Sequence, residues 1–207
     1  MRILVWHVHG SWMTAFVHGR HEYLVPVTPN RGPNGLGRAT TYEWPDNAIE
    51  VPPERLRDEH VDVVVLQRPH EIYLARQWLG RDVPMIYVEH NTPKGDVPQT
   101  RHPMADRDDL VLVHVTHFNG LFWDAGRTHT TVIEHGIPDP GHLYTGELPR
   151  AAAVINEPIR RMRVTGTDLL PRFAPVDVFG MQTAPLAEYG VTPYGDLPQR
   201  RMHREPA

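Results

Sequence analysis

The segment Arg2-Ile3-Leu4-Val5-Trp6-His7-Val8, followed by His9-Gly10-Ser11-Trp12, opens the chain and decides how the rest of it is read. An apolar run rich in branched side chains is suited to burial on both faces of a sheet, and the glycine and serine behind it mark a tight turn into a helical pattern. A buried strand delivered directly into a helix is the first half of a βα unit, the crossover that parallel strands require. The same pattern recurs along the chain. Strands are expected at residues 3–8, 23–27, 61–66, 85–89, 110–115 and 131–134, with helix-compatible spacing at 12–21, 72–79 and 118–125. Thr116 stands where the last of these helices needs an N-cap. Residues 1–149 are therefore expected to form a doubly wound parallel α/β domain with a Rossmann-like sheet. Residues 150–207 are expected to form the start of a second α/β domain.

The connections carry their own signals. Residues 31–38 hold Gly32, Pro33, Asn34, Gly35 and Gly37, which predicts a mobile surface loop. Residues 91–103 are too polar and proline-broken for an element, and residues 138–149, with Pro138, Pro140, Pro149, Gly141 and Gly146, suggest an interdomain linker. Beyond it a strand is expected at 152–155, a helix at 167–173 and a strand at 176–179. Turns and a charged tail from Met202 to Ala207 follow.

Composition narrows the function classes. At 207 residues, 40% hydrophobic and 22% charged, the chain can bury a core of one to two domains. A net charge of −4 leaves no electrostatic footprint for nucleic acid or an anionic membrane surface. The absence of cysteine removes disulfide and thiolate chemistry. No segment reads as a signal peptide or approaches the roughly 20 apolar residues of a membrane span. A cytoplasmic location is expected.

Open parallel sheets bind ligands at the carboxyl ends of their strands. Five of the expected strands deliver a histidine-containing polar cluster there: His7 to Trp12, Gln67 to Glu71, Glu89 to Thr92, Thr116-His117 and Glu134-His135-Gly136. Polar groups converging on one edge are what a binding cleft requires. Gly10 and Ser11, between strand and helix, suit the approach of a phosphate to free backbone N–H groups. Neither the dinucleotide fingerprint nor the P-loop is present. His7 and His9 would share a face of an extended strand and invite a zinc-hydrolase reading, but the chain is short for a barrel of about 250 residues. The aromatic helix at 118–123 is expected to be core.

Three runs resemble a known family: Val83-Pro84-Met85-Ile86-Tyr87-Val88-Glu89-His90, Leu110-Val111-Leu112-Val113-His114-Val115-Thr116-His117 and Thr131-Val132-Ile133-Glu134-His135-Gly136-Ile137. Together they are similar to the acceptor-side domain of retaining GT-B glycosyltransferases of the actinobacterial family 4-like kind. The likeness covers nearly the whole chain. It implies transfer of a sugar with retention from a nucleotide-sugar donor to an acceptor hydroxyl. The donor is a substrate, and no cofactor or metal is called for. His90 would face the transferred sugar as the catalytic residue, while Gly10, Ser11, Thr116 and Gly136 would line the donor or substrate site. Arg160, Arg161 and Arg163, ahead of Thr165-Gly166-Thr167-Asp168, resemble the family's donor-phosphate segment, with Thr165 in place of its lysine. Glu134-His135-Gly136 stands where the family has asparagine-glycine. The family's later pair of glutamates, eight residues apart, has no counterpart, so the resemblance implies a chain that stops within the donor-side domain and is inactive or impaired in transfer. Its partners would be a nucleotide sugar and a carbohydrate or glycosylated acceptor, with self-association through an exposed C-terminal surface. The other classes that these residues admit are a non-catalytic α/β binding domain and a histidine-metal hydrolase.

Overall fold

A computed structural model describes residues 1–94, 99–139, 141–143, 145–173 and 175–197. The chain forms two compact units, Met1–Pro138 and Asp139–Ala207. The expected charged tail from Met202, together with Pro140 and Tyr144 of the expected linker, lies outside the described residues.

The first unit is built on seven parallel strands: β1 (Arg2–Val5), β2 (Glu22–Pro26), β3 (Ala48–Val51), β4 (Val63–Leu66), β5 (Met85–Glu89), β6 (Leu110–His114) and β7 (Thr130–Val132). Their order is β3-β2-β1-β4-β5-β6-β7, with every neighbouring pair parallel. This is the Rossmann-like doubly wound order with one strand added at the far edge. Period-two alternation puts Ile3 and Val5 on one face and Leu4 on the other, and both faces are buried. Helix α1 (Gly10–Val17) covers the first face through Met13 and Val17. Helix α2 (Glu71–Leu79) covers the second through Ile72, Ala75 and Leu79. A third helix, α3 (His117–Phe122), lies with Gly120 against His114 and Val132.

Among the expectations that need correction, the aromatic helix is not core: Phe118, Leu121 and Phe122 are 61%, 80% and 43% exposed. The first strand stops at Val5 rather than Val8, because the Trp6 carbonyl accepts from the Gln67 side-chain amide at 2.7 Å and so leaves the strand ladder. The first helix ends at Val17 rather than residue 21; Gly19 then lets the chain pass so close to Tyr23 that a Cβ there would sit 2.3 Å from its hydroxyl. β3 was not expected, since Ala48-Ile49-Glu50-Val51 is a short, half-exposed edge strand in a turn-rich stretch.

In the second unit, β8 (Ala151–Val154), β9 (Val176–Phe179) and β10 (Thr192–Gly195) form a parallel sheet of order β10-β9-β8. Val176, Val178, Leu186 and Val191 make its core. The buried carboxylate of Asp177 is held by Arg150. A short helix, α4 (Pro158–Arg161), follows β8. The helix expected at 167–173 is a 3-10 turn, Thr167–Phe173, with Pro171 inside it, which removes the donor an α-helix would need. Turns were expected after residue 179, yet Thr192–Gly195 closes the sheet as a third strand. Among the described residues no helix is long and apolar enough to cross a membrane.

Candidate functional site

β1 has β2 on one side and β4 on the other, so the strand order reverses there and the turns behind β1 and β4 border a crevice at the carboxyl edge. Behind β1, α1 starts without a side-chain cap at His9. Its first backbone bond runs from Met13 N–H to the His9 carbonyl at 2.8 Å, so the N–H groups of Gly10, Ser11 and Trp12 precede the helical ladder. A Cβ at position 10 would lie 2.9 Å from the Tyr42 ring, so a larger residue there would have to displace that ring.

Behind β4, the Glu71 side chain is fully buried. Its carboxylate accepts from the backbone N–H of Gln67 at 2.6 Å and of Arg68 at 3.0 Å, and from Arg68 Nε at 2.6 Å. The guanidinium thus stands in one orientation, with Nη1 donating to the Pro33 carbonyl. Its buried Nη2, like Oε1 of Gln67, has no hydrogen-bond partner among the described residues. The loop at residues 31–38, expected as a mobile surface loop, makes contacts along its length. Arg31 pairs with Glu50, Thr28 N–H bonds the Gly35 carbonyl, His70 Nε2 meets Asn34 Oδ1 and His7 Nδ1–H donates to the Gly37 carbonyl. Glu50 of β3 and the imidazoles of His7 and His70, from the β1–α1 and β4–α2 connections, hold it beside the β4–α2 turn.

Behind β5, His90 comes to the His9 ring at 4.1 Å between centroids and meets Trp12 edge-on at 5.1 Å. Two of the expected clusters therefore meet in space. His90 Nε2 is buried without a partner among the described residues. Burial first, then the neighbouring His9, lowers its pKa to about 3; burial also lowers that of His9, helped by Arg68 and His135 and opposed by Glu89. Near neutral pH the pair is uncharged, able to exchange hydrogen bonds with hydroxyls but not to act as a cation. An imidazole that titrates near 6.5 when unfolded and near 3 when folded makes unfolding take up a proton between those limits. Stability is therefore lost as pH falls through that window. His90→Gln is expected to flatten this slope by up to about 1.4 kcal/mol per pH unit, which denaturant titrations between pH 4 and 7 would measure.

Next to His90, a network that sequence reading missed fixes the β5 turn. Glu89 accepts from His102 Nε2 at 3.1 Å and from Asn91 N–H at 2.6 Å. His102 Nδ1 accepts from Met104 N–H, which fixes the neutral tautomer with the proton on Nε2. Burial raises the Glu89 pKa, but the bonds from His102 and Asn91 outweigh it, and the carboxylate stays below its ordinary range. The polar stretch at 91–103 hid a residue as buried as His102 because its partner lies thirteen residues away.

The remaining expected residues divide. Ser11 is exposed in the first turn of α1, and Gly136 is exposed beyond β7. Thr116 caps α3, its hydroxyl accepting from Asn119 N–H at 3.0 Å. Thr116→Ala is therefore expected to cost about 1 kcal/mol of stability in chemical denaturation. Arg160, Arg161 and Arg163 belong to the second unit. Arg160 is paired with Glu157, and Arg163, 91% exposed, stands 3.6 Å from Asp168. His7 and His9 do not form a chelate, since the strand has ended before them; His7 packs on Trp44 and His9 on His90. Among the described residues no group of three His, Asp or Glu side chains is placed to hold a metal ion.

The carboxyl edge thus combines free helix N–H groups, an oriented guanidinium and two uncharged imidazoles. Such a set suits an anionic group beside hydroxyls, and it contains no positioned nucleophile. Compared with protein-family models and with curated proteins, the chain matches none.

Proposed function

We propose that the first unit binds a nucleotide sugar in the manner of a GT-B glycosyltransferase. The diphosphate would meet Arg68 and the N–H groups of Gly10 to Trp12, and a sugar hydroxyl would meet His90. The observation that supports this is that His90, whose Nε2 has no partner among the described residues, packs on His9 and Trp12 at the uncapped start of α1. In retaining transfer the protein's main task is to neutralise the departing diphosphate and align donor with acceptor, and fixed donors perform it without a metal or a covalent step. The resemblance of the strand ends to that family adds support. The glutamates after Arg163 are Glu188 and Glu205, which do not reproduce the family's pair, so the 207-residue chain is expected to bind donor weakly and to transfer little.

Calorimetric titration with UDP, GDP and ADP, followed by a panel of radiolabelled nucleotide sugars, tests this. Saturable binding of at least one diphosphate with negligible turnover is the expected result. No binding of any would end the proposal, and robust turnover would show that the glutamate pair is dispensable. The double substitution Arg160→Ala/Arg163→Ala reads separately whether the second unit's arginines contribute.

A further inference from the structure

The backbone on both sides of the His90 Cα is tied down. The peptide before it is fixed because the Glu89 carbonyl accepts from Val115 N–H at 3.3 Å, just past the paired ends of β5 and β6. The peptide after it is fixed because Asn91 N–H donates to Oε1 of the Glu89 side chain at 2.6 Å. The Asn91 carbonyl in turn accepts from Trp123 Nε1 at 2.7 Å. The bond to Val115 continues the sheet. The bond to Asn91 is of another kind, since it closes a ring over His90 through a side chain and holds only while the Glu89 carboxylate stays turned toward residue 91.

His102 is what keeps it turned. Its Nε2 donates to the other carboxylate oxygen, Oε2, at 3.1 Å, and its Nδ1 accepts from Met104 N–H at 2.9 Å. The imidazole cannot rotate without losing both bonds. Its own backbone N–H donates to the Asp124 carbonyl at 2.9 Å, and the rings of Tyr87 and Trp123 meet it edge-on at 5.3 and 4.7 Å. Trp123 therefore supports both halves of the clamp, the His102 ring by packing and the Asn91 carbonyl by its hydrogen bond. The His102 side chain is fully buried, so it reaches no ligand itself.

We infer that His102 is a positioning residue for His90, acting through Glu89 and Asn91. By fixing the backbone at residue 90 it keeps that imidazole against His9 and Trp12 with Nε2 unpartnered, and so sets the preference of the site for a sugar-bearing nucleotide over the free diphosphate. The ligand preference rests on the sugar-binding role proposed for His90; the positioning does not.

Proton NMR of the histidine rings on the full chain tests the positioning without any ligand, the His90 signals being assigned by their loss in His90→Gln. His102→Leu removes the donor and the acceptor together and is expected to shift the His90 signals. His102→Gln, whose amide offers a donor to Glu89 and an acceptor to Met104 N–H, is expected to return them toward their wild-type positions. Glutamine also lacks the ring, so that rescue cannot come from the His102 ring itself. In calorimetry with a panel of nucleoside diphosphates and nucleotide sugars, His102→Leu is expected to weaken the sugar-bearing ligand about twofold to tenfold, the scale of one neutral hydrogen bond. It should leave the diphosphate unchanged and add nothing in a His90→Gln background. If His102→Leu does not fold, Glu89→Gln serves instead. Its amide has one acceptor oxygen for two donors that now reach different oxygens, so either the Asn91 or the His102 bond fails, and the same shift is expected. Unmoved His90 signals in the folded variants overturn the inference. So do equal losses for both ligands that add to those of His90→Gln, which would make His102 a support of the turn alone. Shifted and rescued signals without binding of any nucleotide keep the positioning role and remove the nucleotide-sugar proposal.

Discussion

Replacing Glu71 with alanine is expected to destabilise the chain by about 3–5 kcal/mol, the scale for removing one partner of a buried ion pair. The carboxylate is fully buried and has three donors: two backbone N–H groups and Arg68 Nε. The substitution leaves all three without an acceptor at once, and it also strips the guanidinium of the contact that orients it. For a chain of this length that loss corresponds to a fall of about 6–20 °C in Tm. Glu71→Gln keeps one acceptor oxygen for the backbone but loses the charge, and is expected to cost roughly half as much. Thermal and urea unfolding of the two variants separate the acceptor from the charge. Equal, small losses would show that the β4–α2 turn is held by its backbone and not by this carboxylate.

The sequence reading caught what is periodic and missed what is paired across the chain. β5 and β9 were legible to the residue because each is a short run of mostly apolar residues behind a proline, Pro84 or Pro175, and both lie between neighbours in their sheets. β3 was illegible because an edge strand with Glu50 facing Arg31 carries neither a long run nor clean alternation. At the candidate site, the strand-end rule places Gly10, His90, Thr116 and Gly136 behind carboxyl ends of β1, β5, β6 and β7 without any knowledge of contacts. What it does not give is the division of labour among them. Thr116 is occupied in capping, and Gly10 stands where a larger residue would have to displace the Tyr42 ring. Glu71 and Glu89 were expected only as members of strand-end polar clusters, and His102 was not singled out, because nothing local announces a buried carboxylate whose partners come from backbone N–H groups or a distant imidazole. Glu89, the last residue of an apolar strand, was legible as a strand-end polar group, but its partner His102 was not.

Arg68→Lys is expected to weaken nucleoside-diphosphate binding by about 10- to 150-fold, or 1.5–3 kcal/mol, the range for a hydrogen bond to a charged group. Arginine presents a rigid fork in which Nε and Nη1 are committed to Glu71 and the Pro33 carbonyl, and the buried Nη2 has no partner among the described residues. A lysine in its place keeps the positive charge but has one ammonium to divide among these demands, and Glu71, the nearer and fully buried anion, takes it. The charge beside Glu71 is retained, so this variant should lose much less stability than Glu71→Ala, and the binding defect can be read on folded protein. His90→Gln should behave differently: it leaves the free diphosphate unaffected and weakens the sugar-bearing nucleotide, because the imidazole is uncharged near neutral pH and offers a hydroxyl a hydrogen bond but a phosphate no charge. The ratio of sugar-nucleotide to diphosphate affinity in wild type, Arg68→Lys and His90→Gln therefore separates the two ends of the crevice. Unchanged diphosphate binding in Arg68→Lys would move the phosphate away from the β4–α2 turn, and equal losses for both ligands in His90→Gln would show that the histidine supports the turn and does not face the sugar.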